Sequence, residues 1–188
     1  DFAIQRRTMV DNQIRTVDVT DHAVIAAFLT VGREAFVPAA MRSLAYIDRP
    51  TELGGGRAVM QPAPLAKLIQ LAAVVPGEKV LLIGGNTGYA AAILAELGAV
   101  VTMVEERADL AETAATELGA KATVVVGPLA AGAPVGAPYD LVLFDGAEHD
   151  GFIVPVGEAG DLQLEFSLVG PEPGQGGVHR ALALQGER

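Results

Sequence analysis

Apolar residues recur along this chain in two rhythms, and the change between them divides it. In the first third the rhythm is helical: Val24, Ile25, Phe28, Leu29 and Val31 fall at three- and four-residue spacing, with Thr20 or Asp21 as a cap. Thr8 to Arg15 and Ala39 to Tyr46 read as shorter helices. Pro64 opens a further helix that runs to about Val74, with Leu65, Leu68, Ile69 and Ala72 inward. The stretch from Asp48 to Pro62, with Pro50 and Gly54-Gly55-Gly56, reads as a punctuated loop.

From Pro76-Gly77 the rhythm changes. Lys79 to Ile83 is a short apolar run, as expected of a strand buried on both faces, and Val100 to Val104, Ala122 to Val126 and Leu141 to Phe144 read as the second, third and fourth strands. Tyr89 to Leu97 and Arg107 to Leu118 between them predict helices, the second capped by Gly119. Strand alternating with helix predicts a mostly parallel α/β sheet of Rossmann-like kind. Farther on, Phe152 to Val156 and Leu162 to Val169 predict an antiparallel C-terminal hairpin turning at Gly157 to Gly160. The Gly- and Pro-rich end from Pro171 predicts either a loop with a last short strand or a loose tail.

Composition narrows the function classes. The 188 residues are 51% apolar but 5% aromatic and lack Trp, so the core rests on Ala, Val, Leu and Ile. A net charge of −10 argues against nucleic acid or an anionic membrane as the main partner. The absence of Cys removes disulfides and thiolate metal sites and fits a cytoplasmic protein. No apolar run has transmembrane length, and Asp1 to Arg7 do not read as a signal peptide. His22, His149 and His179 share no ligand spacing, so no metal site is expected.

The candidate chemistry lies where the first strand ends. In Ile83-Gly84-Gly85-Asn86-Thr87-Gly88-Tyr89, Gly84 suits a tight turn, Gly85 the close approach of a ligand, and Gly88 the packing of helix against strand. The helix that follows offers free N–H donors at its start. Glu105 ends the second strand, where a carboxylate can accept both hydroxyls of a ribose. Each feature alone also reads blandly, as αβ punctuation or a solvated acid at a helix entrance. Together they point to a nucleotide-type cofactor. Asn86 stands where a dinucleotide fingerprint has its middle Gly, which favours an adenosyl cofactor without a pyrophosphate.

With those residues in view, the chain resembles the protein-L-isoaspartate (D-aspartate) O-methyltransferases over nearly its whole length. The resemblance is carried by Met9-Val10-Asp11-Asn12-Gln13-Ile14, Arg33-Glu34-Ala35-Phe36-Val37-Pro38, Ala45-Tyr46-Ile47-Asp48, Leu53-Gly54-Gly55-Gly56 with Gln61-Pro62, Pro76 to Leu81, Val104-Glu105, Ala137-Pro138-Tyr139-Asp140, and Val154-Pro155-Val156-Gly157. It implies one methyltransferase-like domain in three parts. Residues 1–75 form a helical segment with the substrate loop, 76–149 the cofactor-binding core, and 150–188 the C-terminal strands and tail. It implies S-adenosyl-L-methionine at Gly84, Gly85, Asn86, Gly88 and Glu105. It also implies a loop of Gly54, Gly56, Arg57, Gln61 and Pro62 that seats proteins or peptides bearing isoaspartate.

The chain departs from the family pattern at several of these places. Met60 replaces the loop Ser implicated in catalysis, and Met has no hydrogen to donate. Arg57 and Ala58 replace Gln and Thr, Leu82 replaces an acid, and Gly127-Pro128 replaces a Gly-Asp pair near the adenine. Asp145 replaces a Thr after the fourth strand and, with Glu148 and His149, is a candidate substrate or cation contact. His149 runs almost directly into Asp150 to Val154, so the usual crossover helix is missing, or residues are. The resemblance therefore implies a carboxyl O-methyltransferase acting on isoaspartyl or D-aspartyl residues. The alternative is a protein of that fold with weakened or lost catalysis, serving as a binding or assembly subunit with a partner chain. Arg57 itself reads two ways, as a partner for a substrate carboxylate or as a solvated loop charge.

Overall fold

The apolar runs 79–83, 100–105 and 141–144 form the centre of the molecule because both of their faces are covered, whereas 122–126 is an edge strand with Thr123 and Val126 exposed. The computed structural model describes residues 1–145 and 180–183. β3 (Lys79–Ile83), β4 (Val100–Glu105), β5 (Ala122–Val126), β6 (Leu141–Phe144) and β7 (Arg180–Ala183) make one sheet in the order β5-β4-β3-β6-β7, every neighbouring pair parallel. Alternate side chains point to opposite faces. Val80, Leu82, Val101, Met103, Leu141 and Leu143 enter the larger core. Leu81, Ile83, Val104 and Val142 enter a smaller one with Leu129, Ala133 and Tyr139, from the segment between β5 and β6.

The larger core is closed by α2 (His22–Thr30), α3 (Pro62–Ala72), α4 (Tyr89–Glu96) and α5 (Ala108–Leu118). Asp21 caps α2, its carboxylate accepting from the backbone N–H of Ala23 and Val24. α3 starts at Pro62 rather than Pro64, because proline fits the first helical position, where an N–H has no partner to lose. At the start of the chain, α1 (Phe2–Met9) runs on through a π turn, Val10–Ile14, and a 3-10 turn, Arg15–Val17, so the helix expected from Thr8 begins earlier. Residues 39–44 are a 3-10 helix.

The expected loop from Asp48 to Pro62 is instead largely a hairpin. β1 (Thr51–Gly54) pairs antiparallel with β2 (Arg57–Val59). Its turn, Gly55-Gly56, has φ of 61° and 74°, the doubly positive conformation that suits a two-residue hairpin and that glycine adopts without strain. The last strand of the sheet, β7, agrees with the short strand expected after Pro171. The antiparallel hairpin expected over 152–169 lies outside the described residues, as do Glu148 and His149. Among the described residues, no helix is long and apolar enough to cross a membrane.

Candidate functional site at the switch point of the sheet

Strand order reverses between β3 and β6: the chain leaves β3 toward β4 and β5, then returns on the other side. Ligands of open α/β sheets bind in the crevice that this reversal opens at the carboxyl ends of the strands. The residues there are Gly84 to Gly88 after β3, Glu105 at the end of β4 and Asp145 after β6. β3 and β4 pair in register, Ile83 with Val104, so Glu105 lies one residue beyond the pairing and beside the turn.

The turn is rigidly built. Gly84 has φ of 74°, and a Cβ there would meet the Asp145 carbonyl oxygen at 3.0 Å and Arg57 Nη2 at 3.3 Å. Gly85 needs its lack of a side chain for a different reason from the one expected. A Cβ would lie 2.8 Å from Met103 Cε and 3.1 Å from Leu82 Cδ2, so it faces core side chains rather than the crevice. Gly88 packs against a helix and not a strand: its Cβ would meet Leu118 Cδ1 of α5 at 2.9 Å. Asn86 takes φ of 52°, a left-handed conformation that Asn tolerates better than most residues. It therefore serves where a dinucleotide fingerprint has its middle glycine, and it adds side-chain bonds that glycine lacks. Thr87 Oγ1 donates to the Phe36 carbonyl at 2.6 Å and ties the turn to the N-terminal part.

Glu105 is fully buried. Its Oε2 accepts from the Asn86 backbone N–H at 2.9 Å, and its Oε1 from that of Arg107 at 3.0 Å. The reading of Glu105 as a solvated acid is thus excluded. Its third donor was not foreseen. Arg57 reaches from β2, 5% exposed, and places Nη2 2.5 Å from Glu105 Oε2. Arg57 Nη2 also donates to the Gly84 carbonyl at 3.1 Å, Nε to Asn86 Oδ1 at 3.0 Å, and Nη1 approaches Glu106 Oε1 at 3.4 Å. Both sequence readings of Arg57 are corrected here: it is neither a solvated charge nor free to bind a substrate carboxylate as it stands, with four of its five N–H groups engaged.

Gly54 and Gly56 are exposed, with open space where a Cβ would be. Met60 is half-buried and packs on the larger core, and Gln61 is the residue before α3, with Pro62 buried behind it. Arg107, which the sequence did not single out, anchors the hairpin tip by donating from Nη1 to the Gly54 carbonyl at 2.6 Å.

A second buried cation borders the site. Arg33 is fully buried, donates from Nε to the Ala45 carbonyl at 2.8 Å and from Nη2 to the Val59 carbonyl at 3.3 Å, and lies 4.9 Å from the centre of the Tyr89 ring. Burial holds its guanidinium below the usual range and pushes the Tyr89 hydroxyl up. Asp145 is 4% exposed, and its Oδ1 has no hydrogen-bond partner among the described residues. Burial pushes its carboxyl up to about 7, against the pull of Arg33 and Arg57. Nothing in the sequence pattern flagged Arg33 except its place in the family segment. Among the described residues, no cluster of His, Asp and Glu could hold a metal ion.

An open parallel sheet with a Gly-rich turn after its first central strand and a buried acid ending the next is the frame of the Rossmann-like methyltransferases. Comparison with known proteins agrees and goes further. Residues 4–157 match the family model described as protein-L-isoaspartate(D-aspartate) O-methyltransferase. A protein-L-isoaspartate O-methyltransferase 1 of Rhodopseudomonas palustris (strain HaA2) is 43% identical over 153 residues, which cover 79% of this chain and 62% of the relative. A protein-L-isoaspartate O-methyltransferase of Methylorubrum populi is 38% identical over 184 residues, 89% of this chain and 87% of the relative. A solved protein-L-isoaspartate O-methyltransferase superposes with a TM-score of 0.63 at 27% identity, over 74% of this chain and 47% of that one. A Plasmodium falciparum structure, described as an enzyme of this kind in complex with S-adenosyl-L-homocysteine, gives 0.64 at 16% identity, over 76% of this chain and 74% of that one, and supports the fold. This chain belongs to the protein-L-isoaspartate(D-aspartate) O-methyltransferase family.

The residues at the switch point fit an adenosyl group in their frame. Gly84 lets the Asp145 backbone approach the turn closely, Glu105 lies beside the turn one residue past the strand pairing, and Asp145 Oδ1 is an acceptor without a described partner. The fit is incomplete at one place, where the Arg57 guanidinium holds the oxygen that a ribose hydroxyl would need.

Proposed function

We propose that the protein is an S-adenosyl-L-methionine-dependent carboxyl O-methyltransferase that acts on L-isoaspartyl or D-aspartyl residues of damaged proteins. The observation that carries this reading is Glu105, buried at the end of β4 beside the Gly84 turn, in a chain whose family model spans residues 4–157. Gly84, Asn86, Gly88 and Glu105 are the residues that would hold the cofactor, with Gly85 allowing the turn to close on Met103. When bound, the cofactor supplies a methyl group activated on a sulfonium.

The work left to the chain is mainly orientation. A carboxyl acceptor with a pKa near 4 is already ionised at neutral pH and needs no base. What it needs is alignment at about 3 to 3.5 Å from the methyl carbon. The hairpin and the residues after it, Gly54, Gly56, Gln61 and Pro62, are the proposed seat for a peptide bearing isoaspartate. Met60 occupies the position where the family's Ser would donate a hydrogen bond, so the acceptor is held with one bond fewer. Asp145, raised toward neutrality by burial, presents less negative charge to an anionic acceptor than an ordinary aspartate would. The cytoplasm is the compartment that a protein-repair role implies.

The test is methyl transfer from labelled S-adenosyl-L-methionine to a synthetic isoaspartyl peptide, with the matching aspartyl peptide as control. A base-labile methyl ester on the isoaspartyl peptide alone is expected. Folded protein that esterifies neither peptide, at millimolar cofactor, would overturn the reading and favour a non-catalytic role.

A further inference from the structure

A ribose-binding acid is useful only if its oxygens are available, and in this chain the protein itself fills Oε2 with two donors and puts one on Oε1. Glu105 accepts from two backbone N–H groups and from Arg57, and the ion pair is almost wholly removed from solvent, with side-chain exposures of 6% and 0%. The same guanidinium caps the Gly84 carbonyl and the Asn86 side chain. Arg57 thus holds the turn and the acid together from outside the sheet, on a hairpin whose tip is exposed.

We propose that Arg57 is a self-ligand of the cofactor site: its guanidinium occupies the ribose position on Glu105, and the adenosyl group enters only by displacing it and lifting β2 from the turn. The inference rests on the cofactor reading given above. Its physical basis is that one carboxylate oxygen serves two claimants. Charge-assisted hydrogen bonds to a buried carboxylate are among the stronger ones, so the closed arrangement is the dominant one in the free protein. A ligand that binds only the open arrangement has its apparent affinity reduced by the fraction of molecules that are open. If about one molecule in ten to one in a hundred is open, affinity falls by about ten- to a hundredfold.

Two measurements on the whole chain test this. In calorimetry with S-adenosyl-L-homocysteine, Arg57→Gln and Arg57→Ala are expected to bind at least tenfold more tightly than the unaltered protein, with far-UV circular dichroism confirming that they fold. Arg57→Gln keeps most of the side-chain length and a donor, and serves if Arg57→Ala does not fold. In hydrogen exchange on the unaltered protein, the backbone amides of residues 51–59 are expected to lose protection when the ligand binds, whereas a loop ordered by its ligand would gain it. Equal or weaker binding by the folded variants, or gained protection over 51–59, overturns the self-ligand proposal and leaves the cofactor reading standing. No binding by either the unaltered protein or the variants overturns both.

Discussion

Arg57 Nη2 and Glu105 Oε2 lie 2.5 Å apart although the residues are 48 positions apart in the chain. This pair joins the hairpin that follows the N-terminal helices to the central sheet, and it does so at the one acid on which the adenosyl reading depends. The relationship makes residue 105 both a structural and a functional position.

Glu105→Gln should therefore act on both. It leaves a buried guanidinium without its buried charge partner, with only the half-exposed Glu106 beside it, and breaking a buried pair in comparable cases costs about 3–5 kcal/mol. The urea midpoint should fall accordingly, and binding of S-adenosyl-L-homocysteine should weaken by at least tenfold at a temperature where the variant is still folded. Stability within about 0.5 kcal/mol of the parent would mean that the pair is not formed in solution.

Met60→Ser restores a hydroxyl where the family has one. A recovered orienting hydrogen bond is worth on the order of 1–3 kcal/mol, roughly ten- to a hundredfold in kcat/KM on an isoaspartyl peptide. The same change removes a half-buried side chain from the larger core and should lower stability by about 1 kcal/mol. An unchanged kcat/KM would count against a catalytic role for this position.

Asp145 gives a pH signature. Its carboxyl is raised to about 7 by burial, while in the unfolded chain it titrates near 4. Between these values the folded protein keeps a proton that the unfolded chain has released, so stability declines as pH rises through this window. Below it the carboxyl is protonated in both states and the penalty vanishes. Asp145→Asn should remove this part of the decline. Between about pH 5 and about pH 8 the parent should lose roughly 1–3 kcal/mol more than the variant, measured by urea unfolding at each pH. Parallel curves would show that Asp145 ionises normally.

Arg33→Met tests the second buried cation. The variant keeps bulk against Tyr89 but leaves the Ala45 and Val59 carbonyls without their guanidinium donors. A loss of about 2–4 kcal/mol is expected by urea unfolding, from two buried acceptors left unpaired and the lost stacking. Because Val59 is in β2, amide exchange over the hairpin should also quicken.

The parts of this structure that were legible in the sequence are those whose signal is local. β3, β4 and β6 are short apolar runs between Gly- or Pro-marked turns, and their burial leaves no other reading, whereas β5, at the edge of the described sheet and without a fully buried residue, was legible from its β-branched run alone. Glu105 was found by its position at a strand end. The β1–β2 hairpin was partly legible: Gly55-Gly56 between Thr51-Glu52-Leu53 and Arg57-Ala58-Val59 is a hairpin signal, outweighed in the reading by the density of Gly and Pro around it. The burial of Arg57 and Arg33 was not legible, because a charge in a polar segment looks solvated until its partner is known. Those partners come from distant segments. Gly85 shows the same limit, since its neighbour Met103 belongs to the next strand.

The two-residue turn at the hairpin tip sets which way Arg57 points. Along β2 the inward positions alternate, with Arg57 and Val59 buried and Ala58 half-buried between them. A slip of one residue in the pairing would turn the methyl of Ala58 toward Glu105 and swing the guanidinium into water. Such a slip would uncover the acid without altering any charged group, so the register of the hairpin decides whether Glu105 is covered.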